Sequence, residues 1–145
     1  MPLEVITPIN EGATATLEFL FKDQDGTAIP VANIATAKMT FTLEGTNQII
    51  NARELVDVRL NFNTQGLFSF GLTPSDNVFL STGAGVEYEY HLLTFQIATT
   101  GVNSIIYNEE IRLKIMNLQT VRPTYVRPPA VSAIVRTVDS TVAVG

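Results

Sequence analysis

The sequence of 145 residues contains no cysteine and no tryptophan, and it has a single histidine. Without cysteine the chain has neither a disulfide framework nor thiolate chemistry. One histidine excludes a metal site built on a histidine pair and leaves a Ser-His-Asp triad one candidate base. No apolar run approaches the roughly 18 residues of a membrane helix, and the N-terminus lacks the basic cluster and apolar stretch of a secretion signal. We therefore expect neither membrane insertion nor a cleaved leader.

Charged residues are also scarce, at 16% against 46% hydrophobic residues, which is the reverse of the balance in a disordered chain. The formal net charge is −5, so we expect no nucleic-acid partner. The charge is uneven. Residues 1–116 hold 13 acidic and 6 basic residues, a net −7, whereas residues 117–145 hold three arginines and one aspartate, a net +2. This asymmetry predicts different surroundings for the two parts.

Alternation of apolar and polar residues predicts β-strands through the first 116 residues. The clearest alternations cover residues 13–22 and 35–44, and weaker ones cover 56–62, 67–72, 86–97 and 105–115. The segment Thr73-Pro74-Ser75-Asp76 predicts one helical turn, to about Leu80, that crosses between two sheets. About seven short strands separated by turn residues indicate an all-β, immunoglobulin-like antiparallel β-sandwich, with a small closed barrel as the alternative.

The alternation changes phase near Leu92-Leu93. One phase holds Val86, Tyr88, Tyr90 and Leu92, and the opposite phase holds Leu93, Phe95 and Ile97. A phase change within one strand predicts a β-bulge at Leu92-Leu93. Under this interpretation His91 faces solvent or a sheet edge, and Glu87 and Glu89 share an exposed strand face.

No group of residues predicts catalysis, a cofactor or a metal. Asp23-x-Asp25-Gly26 resembles the start of a calcium loop, but the twelfth position is Ile34 instead of the bidentate glutamate that the loop needs. A hairpin turn is therefore predicted there, with calcium held between sandwich loops as the alternative. The carboxylate pairs Glu87/Glu89 and Glu109/Glu110 would need an enclosed cleft to hydrolyse a sugar, and no phosphate-binding glycine motif occurs.

The last part of the sequence differs from the rest. A boundary is predicted near Asn117, and Arg122-Pro123 and Arg127-Pro128-Pro129 predict extended chain over residues 121–129. Residues 130–145 include nine apolar residues and neither lysine nor glutamate. Their β-branched content favours a strand. Since an apolar strand left in water promotes aggregation, we expect it to pair with a sheet edge, either of its own chain or of a neighbour. A frayed tail is the alternative.

The predicted organisation is an extended N-terminal segment (1–12), a β-sandwich (13–118) and an extended C-terminal arm (119–145). We expect the arm to bind a partner through arginines that meet acidic surfaces and apolar residues that fill grooves. These partner-binding residues are Arg122, Arg127, Arg136, Val131, Ile134, Val135 and Val138.

Five segments in a fixed order resemble the small immunoglobulin-like domains of tailed-bacteriophage virions. They are residues 13–30, with a strand leading into Asp23-Gln24-Asp25-Gly26, and residues 35–41, 68–76, 91–97 and 111–118. The resemblance implies a non-catalytic structural or accessory subunit of the tail, neck, baseplate or capsid surface. Its partners would be other virion subunits and copies of itself, with localisation in the virion after assembly in the host cytoplasm.

Two other functions are weighed against this one. The sandwich loops, at residues 45–47, 81–85 and 99–101, would serve a host-surface binding module. An enzyme acting on a polysaccharide through Glu87 or Glu109 is the least favoured of the three, because no cleft is predicted around these carboxylates.

Overall fold

The structure is a computed structural model that describes residues 3–4, 8–23, 25–81, 86–101, 104–118, 133–136, 140–141 and 143–144. These residues form β-strands joined by turns and two 3₁₀ turns, at Val31–Asn33 and Arg59–Asn61. The strands are β1 (Leu3–Glu4), β2 (Ile9–Asn10), β3 (Ala15–Lys22), β4 (Ile34–Leu43), β5 (Val56–Asp57), β6 (Leu67–Leu72), β7 (Tyr88–Thr99), β8 (Ile106–Met116), β9 (Ala133–Arg136), β10 (Ser140–Thr141) and β11 (Ala143–Val144).

Two sheets form the predicted β-sandwich. The larger sheet has the order β1-β8-β7-β4-β5 and curls as a half-barrel, with β2 and β11 also paired to β8. The smaller sheet joins β6 to β3, and β9 and β10 pair with the other edge of β3. The long ladders are antiparallel, as predicted, but β1, β2, β9 and β10 pair in parallel. The two chain ends therefore make the sheets mixed.

Strands β3 and β4 lie where the alternation predicts them. In β3 every second side chain is buried, including Leu17, Phe19 and Phe21, while Glu18 lies on the opposite face. In β4 the buried positions include Met39 and Phe41. A period of two residues buries one face of each strand because successive side chains point to opposite sides of a sheet.

Aromatic rings join the two sheets in the core. The ring of Phe95, from β7, lies 5.1 Å from the rings of Phe21 and Phe68 and 6.2 Å from that of Phe19, measured between centroids. Phe19, Phe21 and Phe68 come from the smaller sheet, and all four are fully buried. Aromatic pairs at such separations contribute about 0.5–1.5 kcal/mol beyond the area that they bury.

The predicted β-bulge at Leu92-Leu93 is wrong. Strand β7 pairs with β8 without a register shift, from Tyr88 opposite Met116 to Ala98 opposite Ile106. The buried phase that contains Leu93 therefore continues back along the strand through His91 to Glu89. The register shift in this sheet lies in β4 instead, between Ile34 and Thr36.

The opposite phase of β7 is apolar for a different reason. Tyr88, Tyr90 and Leu92 point to the outer face of the sheet, where cations cover the rings. The guanidinium carbon of Arg112 lies 3.8 Å from the Tyr90 ring centroid, and the Lys114 ammonium lies 4.1 Å from that of Tyr88. Cation–π contacts of this kind stabilise tyrosine on a solvated face.

Residues 56–62 do not form the predicted strand. Only Val56–Asp57 pair with β4, and a 3₁₀ turn follows at Arg59–Asn61. The Asp57 carboxylate accepts a hydrogen bond from the Arg59 backbone N–H (3.0 Å), and the Arg59 Nε donates to the Ile34 carbonyl (2.7 Å). These two bonds turn the backbone, so that Leu60 is 85% exposed while Val58 and Phe62 stay buried.

The segment after β6 crosses from the smaller to the larger sheet, as predicted, but its turn is shorter. The backbone N–H groups of Asp76 and Asn77 donate to the carbonyls of Thr73 and Pro74, at 3.0 and 3.2 Å. The turn ends at Asn77 and does not continue to Leu80.

Adjacent leucines of β7 test the register. Leu93 is fully buried and Leu92 lies on the outer face. We expect Leu93→Ala to lower the free energy of unfolding by about 2–5 kcal/mol, because it leaves a cavity in the core, and Leu92→Ala to lower it by about 1 kcal/mol or less. Urea denaturation of both variants measures the difference. Equal losses would contradict the continuous register of β7.

Candidate functional site

The edges of the two sheets receive strands from the C-terminal part of the chain. On the edge of β3 that faces away from β6, residues 15–18 pair with residues 133–136, and Phe21 and Lys22 pair with Ser140 and Thr141. On the edge of β8 that faces away from β7, Asn108 and Tyr107 pair with Ala143 and Val144. The arm thus adds backbone to both sheets in turn.

The N-terminal segment shares the edge of β8. Leu3 and Glu4 pair with Ile111 and Arg112, and Ile9 and Asn10 pair with Ile115 and Met116. An unpaired edge presents free N–H and C=O groups that template another strand. The two ends of the chain together cover this edge.

Three of the predicted partner-binding residues lie in β9. Ile134, Val135 and Arg136 are opposite Thr16, Leu17 and Glu18 in the parallel ladder. The other four, Arg122, Arg127, Val131 and Val138, lie outside the described residues.

Pairing of the arm with its own chain is one of the two alternatives that the sequence leaves open. Without β9 and β10, the edge of β3 that faces away from β6 has no strand partner among the described residues.

A buried polar cluster lies at one end of the sandwich and was not predicted. Its centre is Asp76, whose carboxylate accepts two hydrogen bonds from the Arg53 guanidinium (2.9 and 3.0 Å) and one from the Asn51 amide (2.8 Å). It also accepts from the Thr73 backbone N–H (2.7 Å). Burial alone would raise the pKa of Asp76, but these donors outweigh it and hold the pKa below its ordinary value.

The Asp76 contacts hold an unusual loop in place. Asn51, Ala52 and Leu55 adopt left-handed backbone conformations, with φ of 51°, 55° and 49°. Such conformations cost about 1–2 kcal/mol for residues other than glycine. Since Arg53 and Asn51 follow β4 of the larger sheet and Asp76 follows β6 of the smaller one, the ion pair fastens the two sheets together.

Glu89 and His91 form the second half of this polar cluster. The Glu89 carboxylate accepts from the backbone N–H groups of Leu80 (2.9 Å) and Ser81 (2.7 Å), and it lies 2.6 Å from His91 Nε2. Burial would raise the pKa of Glu89, but the donors hold it below its ordinary value. Burial lowers the pKa of His91, and the nearby Glu89 and Asp76 offset this only in part.

The expectation that His91 and Glu89 face solvent is therefore wrong. His91 is fully buried, with its ring edge-on to Phe41 at 5.8 Å, and Glu89 is 6% exposed. Their signal in the sequence is positional: both share the phase of Leu93, Phe95 and Ile97. Apart from the His91 ring, the donors to both carboxylates belong to the chain's own connecting segments, so the cluster fastens residues 73–81 to the larger sheet.

The other candidate groups are separate from this cluster. Glu87 and Glu110 are exposed. The Asp23 carboxylate accepts from the backbone N–H groups of Asp25 (2.9 Å) and Thr27 (3.0 Å), which confirms a turn at this position. Among the residues that the structure describes, no group of three histidine, aspartate or glutamate side chains is placed to hold a metal ion. The same residues include no helix long and apolar enough to cross a membrane.

Two of the three predicted sandwich loops, 45–47 and 99–101, lie at opposite ends of the β4–β7 ladder. Residues 45–47 follow the end of β4 that pairs with His91, whereas Thr99 pairs with Ile34 at the other end of β7. His91 and Thr99 are eight residues apart along β7, which separates the two ends by about 26 Å at ~3.3 Å per residue. An open cavity of about 280 Å³ lies at the second end, between Asp23, Asn33, Thr99 and Tyr107. The loops at 45–47 and 99–101 therefore do not form one site.

No protein-family model matches the chain, and a search of curated proteins finds no match to it.

The Asp76 ion pair is tested by charge removal. We expect Asp76→Asn to lower the free energy of unfolding by about 2–4 kcal/mol, because it weakens the contacts to Arg53 and Thr73 in a buried site. Asp25→Asn is the matched control, since Asp25 is exposed, and we expect a change within about 0.5 kcal/mol. Chemical denaturation at pH 7 measures both. A loss at Asp76 no larger than at Asp25 would show that the ion pair does not fasten the sheets.

Stability is expected to fall as the pH falls. The pKa of His91 is lower in the folded state than in the unfolded chain, where it is about 6.5. Below about pH 6.5 the unfolded state therefore binds a proton that the folded state does not. We expect stability to fall from about pH 7 down to the lower pKa of the folded state, with a slope no steeper than about 1.4 kcal/mol per pH unit. Denaturation of the wild type and His91→Gln, the only histidine position, measures this slope.

In His91→Gln we expect the slope between pH 7 and 5 to disappear. A second loss, below about pH 4.5, remains in both proteins, because Asp76 and Glu89 also have lowered pKa values in the folded state. Identical slopes for the two proteins between pH 7 and 5 would exclude His91 as the titrating group.

Proposed function

We propose that the protein is a non-catalytic structural or accessory subunit of a tailed-phage virion, and that it assembles through its C-terminal arm, residues 119–145. The observation that carries the proposal is that arm backbone adds to sheet edges, in this structure the β3 and β8 edges of its own chain. Strand addition of this kind is a general mode of protein recognition, in which main-chain hydrogen bonds supply the affinity.

The charge of the arm is suited to attachment. Residues 117–145 carry a net +2, whereas residues 1–116 carry −7, so the arm is attracted to surfaces like that of its own sandwich. Repetition of a weak edge contact around a symmetric particle raises the overall affinity without new contacts.

The placement in a virion rests on the order of the sequence motifs in residues 13–118. The strand that leads into the Asp23–Gly26 turn and the Leu72-Thr73-Pro74-Ser75-Asp76 element are two of these motifs. In the structure they form β3 and the connector that carries Asp76. The part of the virion is left open among tail, neck, baseplate and capsid surface.

A host-surface binding module is less well supported. Its loops at 45–47 and 99–101 follow opposite ends of the β4–β7 ladder, about 26 Å apart along β7. An enzyme is supported still less, because the donors to the two buried carboxylates, Asp76 and Glu89, come from the chain's own backbone and side chains.

Incorporation into particles tests the role of the arm. Tagged full-length chain and a chain ending at Leu118 are expressed in cells that produce the particles, and the particles are purified on a density gradient. We expect the full-length chain to co-purify with the particles and the shortened chain to be lost from them. Undiminished incorporation of the shortened chain would overturn the arm as the attachment element.

A second pair of variants controls for folding of the shortened chain. Ile134→Pro with Val135→Pro removes backbone donors from β9, whereas Ile134→Val with Val135→Ile keeps the donors and the apolar volume. We expect the proline variant to fail in incorporation and the conservative variant to succeed. Thermal unfolding of both chains checks that the sandwich is intact.

A further inference from the structure

We propose that the open cavity between Asp23, Asn33, Thr99 and Tyr107 binds a sugar ring, either as a free monosaccharide or as one residue of a glycan. The cavity has a volume of about 280 Å³. Pockets for drug-sized ligands measure about 300–1,000 Å³, so this cavity is suited to a smaller ligand. The proposal goes beyond the structural role proposed above and does not depend on it.

The hydroxyl group of Tyr107 is the first observation that points to a ligand. Tyr107 lines the cavity, and the residue as a whole is only 3% exposed. No group in the described part of the chain forms a hydrogen bond with its hydroxyl. A hydroxyl both donates and accepts a hydrogen bond. Both capacities of the Tyr107 hydroxyl are therefore left for an occupant of the cavity.

The carboxylate of Asp23 is the second observation. One of its oxygens, Oδ1, accepts hydrogen bonds from the backbone N–H groups of Asp25 (2.9 Å) and Thr27 (3.0 Å). The other oxygen, Oδ2, accepts no hydrogen bond from the residues that the structure describes. The turn thus fixes the carboxylate and leaves one oxygen for a ligand. A group that is held in place before binding lowers the entropic cost of binding.

The opposite wall of the cavity is also fixed by the protein itself. The Thr100 N–H donates to the Asn33 carbonyl (3.0 Å), and the Thr99 hydroxyl accepts from the Ile105 N–H (2.9 Å). The side-chain amide of Asn33 and the hydroxyl of Thr100 line the cavity and have no hydrogen-bond partner among the described residues. The backbone bonds therefore hold the wall in place, while these two side chains stay available to a ligand.

The mixture of polar groups selects a sugar. Calcium takes about six to eight oxygen ligands, and its affinity rises with the number of charged ligands, whereas Asp23 is the one carboxylate among the described residues that line the cavity. Amide and hydroxyl groups both donate and accept, and they match the hydroxyl groups of a sugar, which do the same. Ile29 and Ile105 add apolar surface, against which the C–H groups of a sugar ring pack.

Titration with sugars, followed by NMR, tests the proposal. The isotope-labelled full-length chain is titrated separately with glucose, galactose, mannose, rhamnose and N-acetylglucosamine, and a glycan array presents the same sugars at the ends of longer chains. We expect at least one free sugar to give saturable shifts of the Thr27, Asn33 and Thr100 amide signals. The Kd is expected in the millimolar range, because a small open cavity buries only part of its ligand.

Two variants assign the binding to this cavity. Tyr107→Phe removes the hydroxyl and keeps the ring. Asp23→Asn keeps an oxygen for the backbone N–H groups of the turn and replaces the other oxygen by an amide group. We expect each variant to raise the Kd by about three- to tenfold, as the loss of one hydrogen bond does. The matched control is Asp25→Asn, in the same turn but away from the cavity lining, and it should leave the Kd unchanged.

The urea midpoint of Tyr107→Phe is a separate check on the first observation. Since no described group bonds to the hydroxyl, its removal should leave the midpoint of unfolding unchanged. A lower midpoint would show that the hydroxyl is bonded within the protein, and would overturn its assignment to a ligand.

Three further results would overturn the proposal. The first is that neither the free sugars nor the glycans bind. The second is that binding persists unchanged in both Tyr107→Phe and Asp23→Asn. The third is that calcium chloride gives saturable shifts of the same amide signals while no sugar does, which would make the cavity a cation site. Among supporting results, equal affinity for free sugars and glycans identifies a monosaccharide ligand, and tighter binding to glycans identifies a glycan chain.

Discussion

The unpaired backbone at a sheet edge is the constraint on which the rest of this structure depends. Two sheets of a sandwich have four edges, and each exposes N–H and C=O groups that must be solvated or paired. Here the edge of β8 is covered by both ends of the chain and one edge of β3 by the arm alone. The edge of β3 is therefore the place where removal of the arm changes the sandwich most.

The polar cluster at the end of the sandwich holds the two sheets, and with them the edges of β3 and β8, in fixed positions. Asp76 connects the segment after β6 to the loop after β4, and Glu89 holds the backbone of Leu80 and Ser81 against β7. These contacts fix the smaller sheet, and with it β3, relative to the larger sheet. An arm that pairs first with β3 and then with β8 needs the two edges at a constant separation, because the two strand segments β10 and β11 are joined by one residue.

The sequence predicted strands well where only one phase of the alternation is apolar. In β3 and β4 the polar phase holds threonine, lysine and glutamate, so the buried face is unambiguous. In β7 both phases contain large apolar side chains, since Tyr88 and Tyr90 are stabilised outside by cations that come from β8. Those contacts join residues more than 20 positions apart, and no local pattern reveals them. The burial of His91 and Glu89 was missed for the same reason, since the backbone groups that donate to Glu89, those of Leu80 and Ser81, also lie outside β7.

The pairing of the arm illustrates a different limit on what the sequence pattern can predict. The composition of residues 130–145 predicts a strand that pairs with a sheet edge, and β9 does pair with the edge of β3. Which edge it takes is not encoded in its side-chain pattern, because strand addition is driven by backbone groups that every edge presents. The choice between the chain's own edge and a neighbour's is set by linker length, linker stiffness and the local concentration of copies.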